Sequence, residues 1–369
     1  MSLHHETLPP ELWLEIFEHL DERSYTGIYA PFQPPAGDRD VMSAYPAVVL
    51  VCRNWHDWAI CFRYRNVKFS DSGSIWADKH PEYGRWVRRV VIPDFIGHVS
   101  PTEMLCICPN ITVLVRRHPQ PVKFDINAPC PLPSLKRLEW WIYDRDGSTH
   151  ALPAVLCAAP NLEDLCIRML AFTQFRPHYT TNKMRLLSLR TLRLGIASVG
   201  FLESVSQWSL PALDTLILDV PLPHLSLVWA AHGSHLETLE LRKENGFLDS
   251  VYLTRCLQHC PALRKLNYYL FTTALPTEDA GSYPSVTAVS MHMAPDMHIA
   301  RFAPGPDSEL SREEWGHLEQ HILTLAGGLF PNLLRLTFYG TSQQMLSEER
   351  FAVVLKPLTD RGCALEIVA

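Results

Sequence analysis

Two histidines near the end of the chain have the spacing of metal ligands. His317 and His321 are one helical turn apart with Glu319 between them, and two histidines on one face of a helix can bind a zinc ion. A zincin helix, however, needs its glutamate directly after the first histidine, where this chain has Leu318. No third ligand is placed by the sequence. We therefore expect a solvated helix face at these histidines and no metal.

The cysteines carry the other reactive side chains. Cys256 and Cys260 are one helical turn apart, and the ten cysteines are scattered among apolar positions without a dense framework. Such cysteines behave as small apolar side chains in a reducing compartment. We expect free thiols and a cytoplasmic or nuclear protein. The sequence has no glycine-rich phosphate loop and no Gly-x-Ser-x-Gly elbow, so we expect neither catalytic activity nor a cofactor.

Composition narrows the class of protein. The chain has 369 residues, of which 47% are apolar and 20% charged, as is typical of a globular protein with ample core. A formal net charge of −6 argues against general nucleic-acid binding. No apolar run approaches the length of a membrane-spanning helix, and the first residues do not resemble a signal peptide. We expect neither nucleic acid nor membrane as a partner.

One short pattern returns along most of the chain. It is often Pro-x-Leu-x-x-Leu followed by further apolar residues, as in residues 160–165. We call its first apolar residues the anchors: Val87, Ile111, Leu135, Leu162, Leu189, Leu213, Leu236, Leu263, Val286 and Leu333. Consecutive anchors are 23 to 27 residues apart, within the range of leucine-rich repeats, except for a last step of 47. That step holds either an eroded repeat or an insertion, and residues 294–311, rich in Pro and Gly, favour an insertion or long loop.

The repeat predicts an α/β fold. Each Leu-x-x-Leu-x-Leu makes a bend and a short strand with alternate side chains buried. The chain must then return to the same edge for the next parallel strand. No single unit buries its own apolar face, so the units stack into a curved solenoid with a parallel β-sheet on its concave side. Four returns have helical patterns (152–159, 199–208, 253–259 and 313–325), and residues 364–368 resemble a closing strand.

The front of the chain carries two helical patterns. Residues 8–20 open with two prolines, which suit the first turn of a helix, and continue with apolar residues at helical spacing. Residues 48–62 repeat that spacing, and a short strand or turn is expected over 64–69. Leu-Pro-x-Glu-Leu, Ile-Phe-x-x-Leu and Val-Cys-Arg-x-Trp occur in this order within the two segments.

With these three motifs the sequence resembles an F-box over about residues 7–69. Together with the repeats, it is similar to the large, divergent F-box families of fungi. The resemblance implies an N-terminal helical F-box module, residues 1–69, followed by an irregular leucine-rich-repeat-like solenoid, residues 70–369. One departure is a link longer than usual, residues 21–45, whose prolines and glycines indicate an inserted loop.

The resemblance also implies the partners. F-box helices dock on a Skp-type adaptor, which links them to the cullin scaffold of a ubiquitin ligase. On the matching positions the adaptor-binding residues are Leu8, Pro9, Leu12, Ile16, Phe17, Val51, Cys52 and Trp55. Large side chains in a patch that loses its water are typical of the hot spots of protein interfaces. Some of these side chains must instead pack on each other, because a helical pair needs its own core.

The solenoid is then expected to bind an unknown protein substrate. Its concave side is predicted to present Arg89, Arg117, Arg137, Glu139, Trp141, Asp164, Arg168, Arg193, Asp219, Glu240, Arg242, Lys265, Tyr269, His292, Arg335 and Tyr339. We single out Trp141, Arg242, Tyr269 and Tyr339 as substrate-binding residues, because aromatic and arginine side chains are enriched in binding hot spots. The implied function is a non-catalytic, substrate-recruiting subunit of a Skp–cullin–F-box ubiquitin ligase. The alternative is a repeat-based protein-binding scaffold whose F-box is non-functional or repurposed.

Overall fold

The computed structural model describes most of the chain. The described residues are 8–21, 31–32, 48, 50–68, 81–92, 105–116, 130–142, 151–169, 183–195, 197–243, 245–276, 281–293, 312–340 and 343–368. The chain divides into two compact units. The first comprises Met1–Tyr29, Gln33–Leu189 and Ser209–Pro211, and the second comprises Ala30–Phe32, Arg190–Trp208 and Ala212–Ala369.

The first unit opens with two helices. These are α1 (Pro10–Asp21) and α2 (Arg53–Arg63). Pro10 begins α1, where its missing N–H removes no helical hydrogen bond. The backbone at Cys52 is extended, so α2 begins directly after it, and the Sγ of Cys52 accepts the N–H of Trp55 at 3.5 Å as a helix cap.

The two front helices share an aromatic core. Phe17, Ala59 and Phe62 are buried, and the partly buried Trp13 and Trp55 pack against them. The rings of Trp13 and Trp55 are 4.6 Å apart, and Phe17 meets Trp55 edge-on at 5.4 Å. The apolar stripe of the sequence therefore serves partly to join the helices.

Parallel strands follow the two helices in the described part of the first unit. They are β1 (Asn66–Lys68), β2 (Arg89–Ile92), β3 (Val113–Arg116), β4 (Arg137–Ile142) and β5 (Asp164–Met169). Each pairs with the next in parallel. Helix α3 (Ala151–Ala158) returns the chain from β4 to β5. The strand β1, which the sequence assigned to the front module, pairs directly with the first repeat strand.

The second unit repeats this arrangement. Its strands are β6 (Thr191–Leu194), β7 (Thr215–Leu218), β8 (Thr238–Leu241), β9 (Lys265–Tyr269), β10 (Ala288–His292), β11 (Arg335–Tyr339) and β12 (Ala364–Val368). Neighbours in chain order pair in parallel. The α-helices in its described residues are α4 (Val199–Ser206), α5 (Ser226–His232), α6 (Ser250–His259), α7 (Arg312–Ala326), α8 (Gln343–Ser347) and α9 (Glu349–Thr359).

The anchors explain where the strands begin. All ten anchor side chains are buried, and the strand of each repeat begins two residues after its anchor, as with Leu162 and Asp164 or Leu333 and Arg335. The buried anchor closes the bend, and alternate residues of the strand continue into the core. The predicted α/β fold with parallel repeat strands is confirmed, as is the closing strand at 364–368. The four predicted helical returns are present as α3, α4, α6 and α7.

The 47-residue step between the last two anchors is an insertion. Strand β10 pairs directly with β11, with Val289 beside Leu336, so no repeat strand lies between them. Asn332 Nδ2 also donates to the carbonyl of Pro284 at 2.9 Å. Asn161 makes the same bond to Pro133, at 2.9 Å, across an ordinary repeat. The bend of the repeat is thus preserved across the long step.

Two predicted loops lie outside the described residues. They are the stretch 294–311 and the insert 21–45, apart from Asp21 and the pair Pro31 and Phe32. In the portion of the chain that the structure describes, no helix is long and apolar enough to cross a membrane.

Candidate functional site

One face of the second unit gathers charged and aromatic side chains. Leu266 and Tyr268 of β9 are buried on the side of helix α7, where the hydroxyl of Tyr268 meets His321. Alternate residues point to the opposite side, which we call the open face. At the ends of the strands Tyr269 lies beside His292, and His292 lies beside Tyr339, in strict parallel register.

The side chain of Phe32 lies on this open face. Its ring meets those of Tyr269, His292 and Tyr339 edge-on, with centroid distances of 5.2, 5.2 and 5.1 Å. Edge-to-face contacts at these distances are favourable because the ring edge is positive and the ring face negative. Only 8% of Phe32 remains exposed. The three aromatic residues, with Glu240, are called the aromatic cup below.

The backbone of Phe32 is held as well as its ring. Its N–H donates to Oε2 of Glu240 at 3.0 Å. Glu240 is fully buried, and its Oε1 accepts from Nη1 of Arg242 at 2.6 Å. Each carboxylate oxygen therefore has a donor, which a buried carboxylate requires.

Arg242 belongs to a larger ionic chain on the same face. Asp219 accepts from Arg193, with Oδ1 at 2.6 Å from Nη2 and 2.8 Å from Nε. The Nε of Arg242 lies 4.0 Å from the same oxygen of Asp219. Two arginines thus alternate with two carboxylates, and all four side chains are largely buried. Networks of this kind fix side-chain positions when every member is satisfied.

The rings of the cup are uncharged at neutral pH. Burial, followed by the charges of Arg242 and Lys243, lowers the pKa of His292 to about 4. Burial raises the pKa of Tyr269 and of Tyr339 above their ordinary value. The ring of His292 stacks on Tyr269 at 4.6 Å with an interplanar angle of 18°. The aromatic cup therefore combines three neutral rings with the buried carboxylate of Glu240.

The structure brings together three of the four predicted substrate-binding residues. Tyr269 and Tyr339 contact Phe32, and the guanidinium of Arg242 lies 5.9 Å from the centroid of the Tyr269 ring. Trp141 lies in the first unit. Its Nε1 donates to Oε1 of Glu139 at 3.2 Å.

Three residues that the cup depends on were not singled out from the sequence. Glu240 and His292 were among the residues expected on the concave side, because of their spacing from the anchors. Phe32 carried no sequence signal, because it lies in a proline-rich stretch without periodicity. Arg117, also expected on the concave side, lies outside the described residues.

The predicted adaptor-binding residues divide into exposed and inward-facing groups. Leu8, Pro9, Leu12, Ile16 and Val51 are exposed; Leu12 and Ile16 keep 43% and 41% of their accessible surface. We call these five residues the helix-pair surface. Its neighbours Leu14 and Leu50 are exposed too.

The other three predicted adaptor-binding residues have structural roles. Phe17 is only 1% exposed and belongs to the core of the helix pair, so its assignment to a docking surface is corrected. Trp55 is partly buried against Trp13, and Cys52 caps α2. The sequence could not separate the two groups, because each of the two apolar segments contains members of both.

The paired histidines are not on a solvated face, contrary to expectation. His321 is 3% exposed, and its Nδ1 lies 3.2 Å from the hydroxyl of Tyr268. Nε2 of His317 lies 3.1 Å from the carbonyl oxygen of Leu270. Burial, followed by the charge of His317, lowers the pKa of His321 to about 3. The two histidines thus hold α7 against β9, through Tyr268, and against the turn that follows it, through Leu270.

The cysteines match their prediction. All ten are free thiols, and Cys256 and Cys260 are buried. Burial raises the pKa of Cys260 to about 12 and that of Cys256 well above its ordinary value, which makes thiolate chemistry unfavourable there. Among the described residues, no group of three or more His, Cys, Asp or Glu is arranged to hold a metal ion.

Comparisons with known proteins add little to this geometry. No model of a known protein family matches the chain, and no curated protein matches it. Among solved structures, the chain is similar to a protein of Bacteroides fragilis determined by a structural genomics consortium. That similarity covers 82% of this chain and 74% of the other, with 12% identity and a TM-score of 0.37.

Proposed function

We propose that this chain recruits protein substrates to a Skp–cullin–F-box ubiquitin ligase. In this proposal the helix-pair surface binds a Skp-type adaptor, which links the chain to a cullin scaffold. The repeat strands bind the substrate. The chain itself is not an enzyme and holds no cofactor; it works by bringing two proteins together, in the cytoplasm or nucleus.

The observation that carries the proposal is that apolar side chains remain exposed on helices that already have a core. Phe17, Ala59 and Phe62 satisfy the need of α1 and α2 to pack together. Leu12 and Ile16 are nevertheless exposed on α1, and Val51 is exposed just before α2. Exposed apolar patches of this kind mark binding surfaces in soluble proteins. A partner that covered these residues would gain about 25 cal/mol for each Å² of apolar surface removed from water.

The sequence motifs support the same assignment. The three F-box motifs, at residues 8–12, 16–20 and 51–55, supply all five residues of the helix-pair surface. Docking on an adaptor gives a reason for leucine and isoleucine at exposed positions where a polar residue would suit an isolated helix pair better.

The substrate half of the proposal is supported by the open face of the second unit. Arg242, Tyr269 and Tyr339 meet there beside the buried Glu240. Aromatic and arginine side chains held by neighbours in a rigid sheet are typical of binding hot spots.

A second candidate is a repeat-based binding scaffold whose F-box is repurposed. Phe17 and Trp55, two of the large motif residues, pack into the helix pair itself, so a smaller set of anchors is left for an adaptor. In this alternative the front helices complete the first unit, and the repeats bind a partner without any link to ubiquitination.

Co-purification with a Skp-type adaptor distinguishes the two candidates. The variant Leu12→Asp plus Ile16→Asp places two carboxylates on the helix-pair surface. The matched control, Leu323→Asp plus Val353→Asp, places two carboxylates at exposed apolar positions of α7 and α9. We expect the wild type and the control to retain the adaptor and the first variant to lose it, with similar thermal melts for all three. A folded wild type that captures no adaptor would leave the scaffold as the better account.

A further inference from the structure

The aromatic cup already contains a ligand-like group, which is Phe32 of the same chain. The group has two parts: a phenyl ring against three aromatic rings, and a backbone N–H on a buried carboxylate. We propose that Glu240, Tyr269, His292 and Tyr339 form a peptide-binding site for a phenylalanine or tyrosine side chain. Phe32 occupies this site as an intramolecular ligand that competes with peptides from other proteins.

The chemistry of the contacts defines the class of ligand. Glu240 accepts a backbone N–H, which every residue except proline can donate. Selectivity therefore comes from the ring, since edge-to-face contact with Tyr269, His292 and Tyr339 needs a flat aromatic group. A segment of a partner protein with an exposed Phe or Tyr offers both features.

The cup is held in place by contacts that do not involve Phe32. Tyr269 and His292 stack on each other, and Arg242 holds the carboxylate of Glu240. Gly340 lies against His292, where a Cβ would come within 2.7 Å of the imidazole Cε1. Side chains fixed in this way by strands and neighbours retain their geometry when a ligand leaves, which is a property of preorganised sites.

Phe32 itself is held in a conformation that a free chain seldom adopts. Its φ is +62°, in the left-handed region that phenylalanine rarely occupies because Cβ crowds the backbone. Such strain persists only where surrounding contacts maintain it. A peptide that binds the cup with relaxed backbone lacks this strain, so it can compete with Phe32 although Phe32 has the advantage of being tethered.

Occupation by Phe32 lowers the apparent affinity for outside peptides. A tethered ligand competes at a high effective concentration. The measured affinity for an outside peptide is therefore reduced to the fraction of sites that Phe32 leaves open. Calling the outside peptide a substrate rests on the proposed function. Peptide binding itself requires no adaptor, so the two proposals can fail separately.

The test measures binding of one labelled peptide by fluorescence anisotropy. The probe is the octapeptide of residues 28–35, Ile-Tyr-Ala-Pro-Phe-Gln-Pro-Pro, added to the purified full chain. We expect Phe32→Ala to bind it about tenfold or more tightly than the wild type, because the site is no longer occupied in cis. Adding Tyr339→Ala to that variant should abolish the gain, as should replacing Phe with Ala in the peptide.

A second variant and a second peptide complete the binding test. Phe32→Leu keeps an apolar side chain but loses the edge contacts, so it should bind the probe with intermediate affinity; it replaces Phe32→Ala if that variant does not fold. A matched peptide with trimethyl-lysine in place of Phe tests whether the cup instead prefers a cation, as aromatic cages can. The proposal is overturned if folded Phe32 variants bind the probe no better than the wild type, or if the trimethyl-lysine peptide binds better than the Phe peptide.

Adaptor capture by the same variants separates this proposal from the proposed function. Phe32→Ala and Tyr339→Ala should both retain the adaptor, because neither residue belongs to the helix-pair surface. Peptide binding without adaptor capture would support the peptide site and contradict the proposed role in a ubiquitin ligase. Adaptor capture without peptide binding would support the ligase role and contradict the peptide site.

Discussion

The backbone N–H of Phe32 donates to Oε2 of Glu240 at 3.0 Å, although the two residues are 208 positions apart in the sequence. The carboxylate that accepts this bond is buried and also paired with Arg242. A buried carboxylate contributes stability only while its partners remain. Glu240 thus links the aromatic cup to the ionic chain, because its two carboxylate oxygens accept from Phe32 and from Arg242.

Replacing Glu240 with Gln should therefore destabilise the protein strongly. The change removes the shorter of the two carboxylate contacts of Arg242 and leaves only Asp219, at 4.0 Å; breaking such a buried pair costs about 3 kcal/mol. The control is Lys136→Gln, which breaks the exposed ion pair between Lys136 and Glu163 and should cost less than about 1 kcal/mol. Denaturant unfolding followed by circular dichroism measures both. Equal losses of stability would show that the Glu240 pair is no more important than a surface pair.

In the helix pair, truncating a core residue should cost far more stability than truncating a surface residue. Phe17→Ala removes a buried ring, and such truncations cost about 3–5 kcal/mol. Leu12→Ala removes an exposed side chain and should change stability by less than about 0.5 kcal/mol. Differential scanning calorimetry of both variants tests this division. A large loss of stability for Leu12→Ala would place that residue in an internal contact and remove it from the proposed docking surface.

Acidification should destabilise the fold through His321. The pKa of this histidine is about 3 in the folded chain against about 6.5 in an unfolded one. As pH falls below about 6.5, the unfolded chain gains a proton that the folded chain excludes, so stability declines down to about pH 3. At pH 5 the loss is on the order of 2 kcal/mol.

His321→Gln provides the comparison for this pH dependence, because it retains a polar side chain but does not titrate. His292 has a pKa of about 4, so it also makes stability fall as the pH is lowered. This contribution is the same in the wild type and in His321→Gln. The variant should lose less stability than the wild type between pH 7.5 and pH 5. Parallel pH profiles of unfolding would mean that His321 does not account for the acid sensitivity.

Two glycines should respond in opposite ways to alanine. At Gly233 a Cβ would overlap the carbonyl oxygen of His259, so Gly233→Ala must displace the backbone and should cost about 2 kcal/mol. Gly316 is exposed inside α7, and a Cβ added there would have nothing within 4 Å. Gly316→Ala should therefore stabilise the protein by about 0.5–1 kcal/mol. Thermal melts measure both variants. A shift of both melting temperatures in the same direction would contradict the close packing at Gly233 or the open space at Gly316.

The parts of the fold predicted from sequence are those set by local pattern. Every repeat strand begins two residues after an anchor, because the Leu-x-x-Leu spacing fixes both the bend and the face that is buried. The same spacing placed Tyr269, His292 and Tyr339 on one face, where strand register brings them together. The spacing thus predicted which of these side chains share one face of the strands.

The parts that escaped prediction depend on contacts between distant segments. Nothing in the pattern around Phe32 indicates its contact with Glu240, since that bond arises from tertiary packing. The apolar stripe of α1 contains both Phe17, which is buried, and Ile16, which is exposed, and helical spacing alone cannot separate neighbours on a broad stripe. His321 was expected in solvent because its polar side chain suits a helix surface, but Tyr268 supplies a hydrogen-bond partner that permits burial.

The measurement that tests the account most directly is site-specific photo-crosslinking to a purified Skp-type adaptor. Benzoylphenylalanine replaces Leu12 on the helix-pair surface or, as a control, Leu323 on α7, both exposed apolar positions. We predict a crosslink to the adaptor from position 12 and none from position 323, with the position-12 product lost when unlabelled wild-type chain is added in excess. A folded position-12 variant that gives no crosslink, while the wild-type chain likewise fails to retain the adaptor, would contradict the assignment of this chain to a ubiquitin ligase.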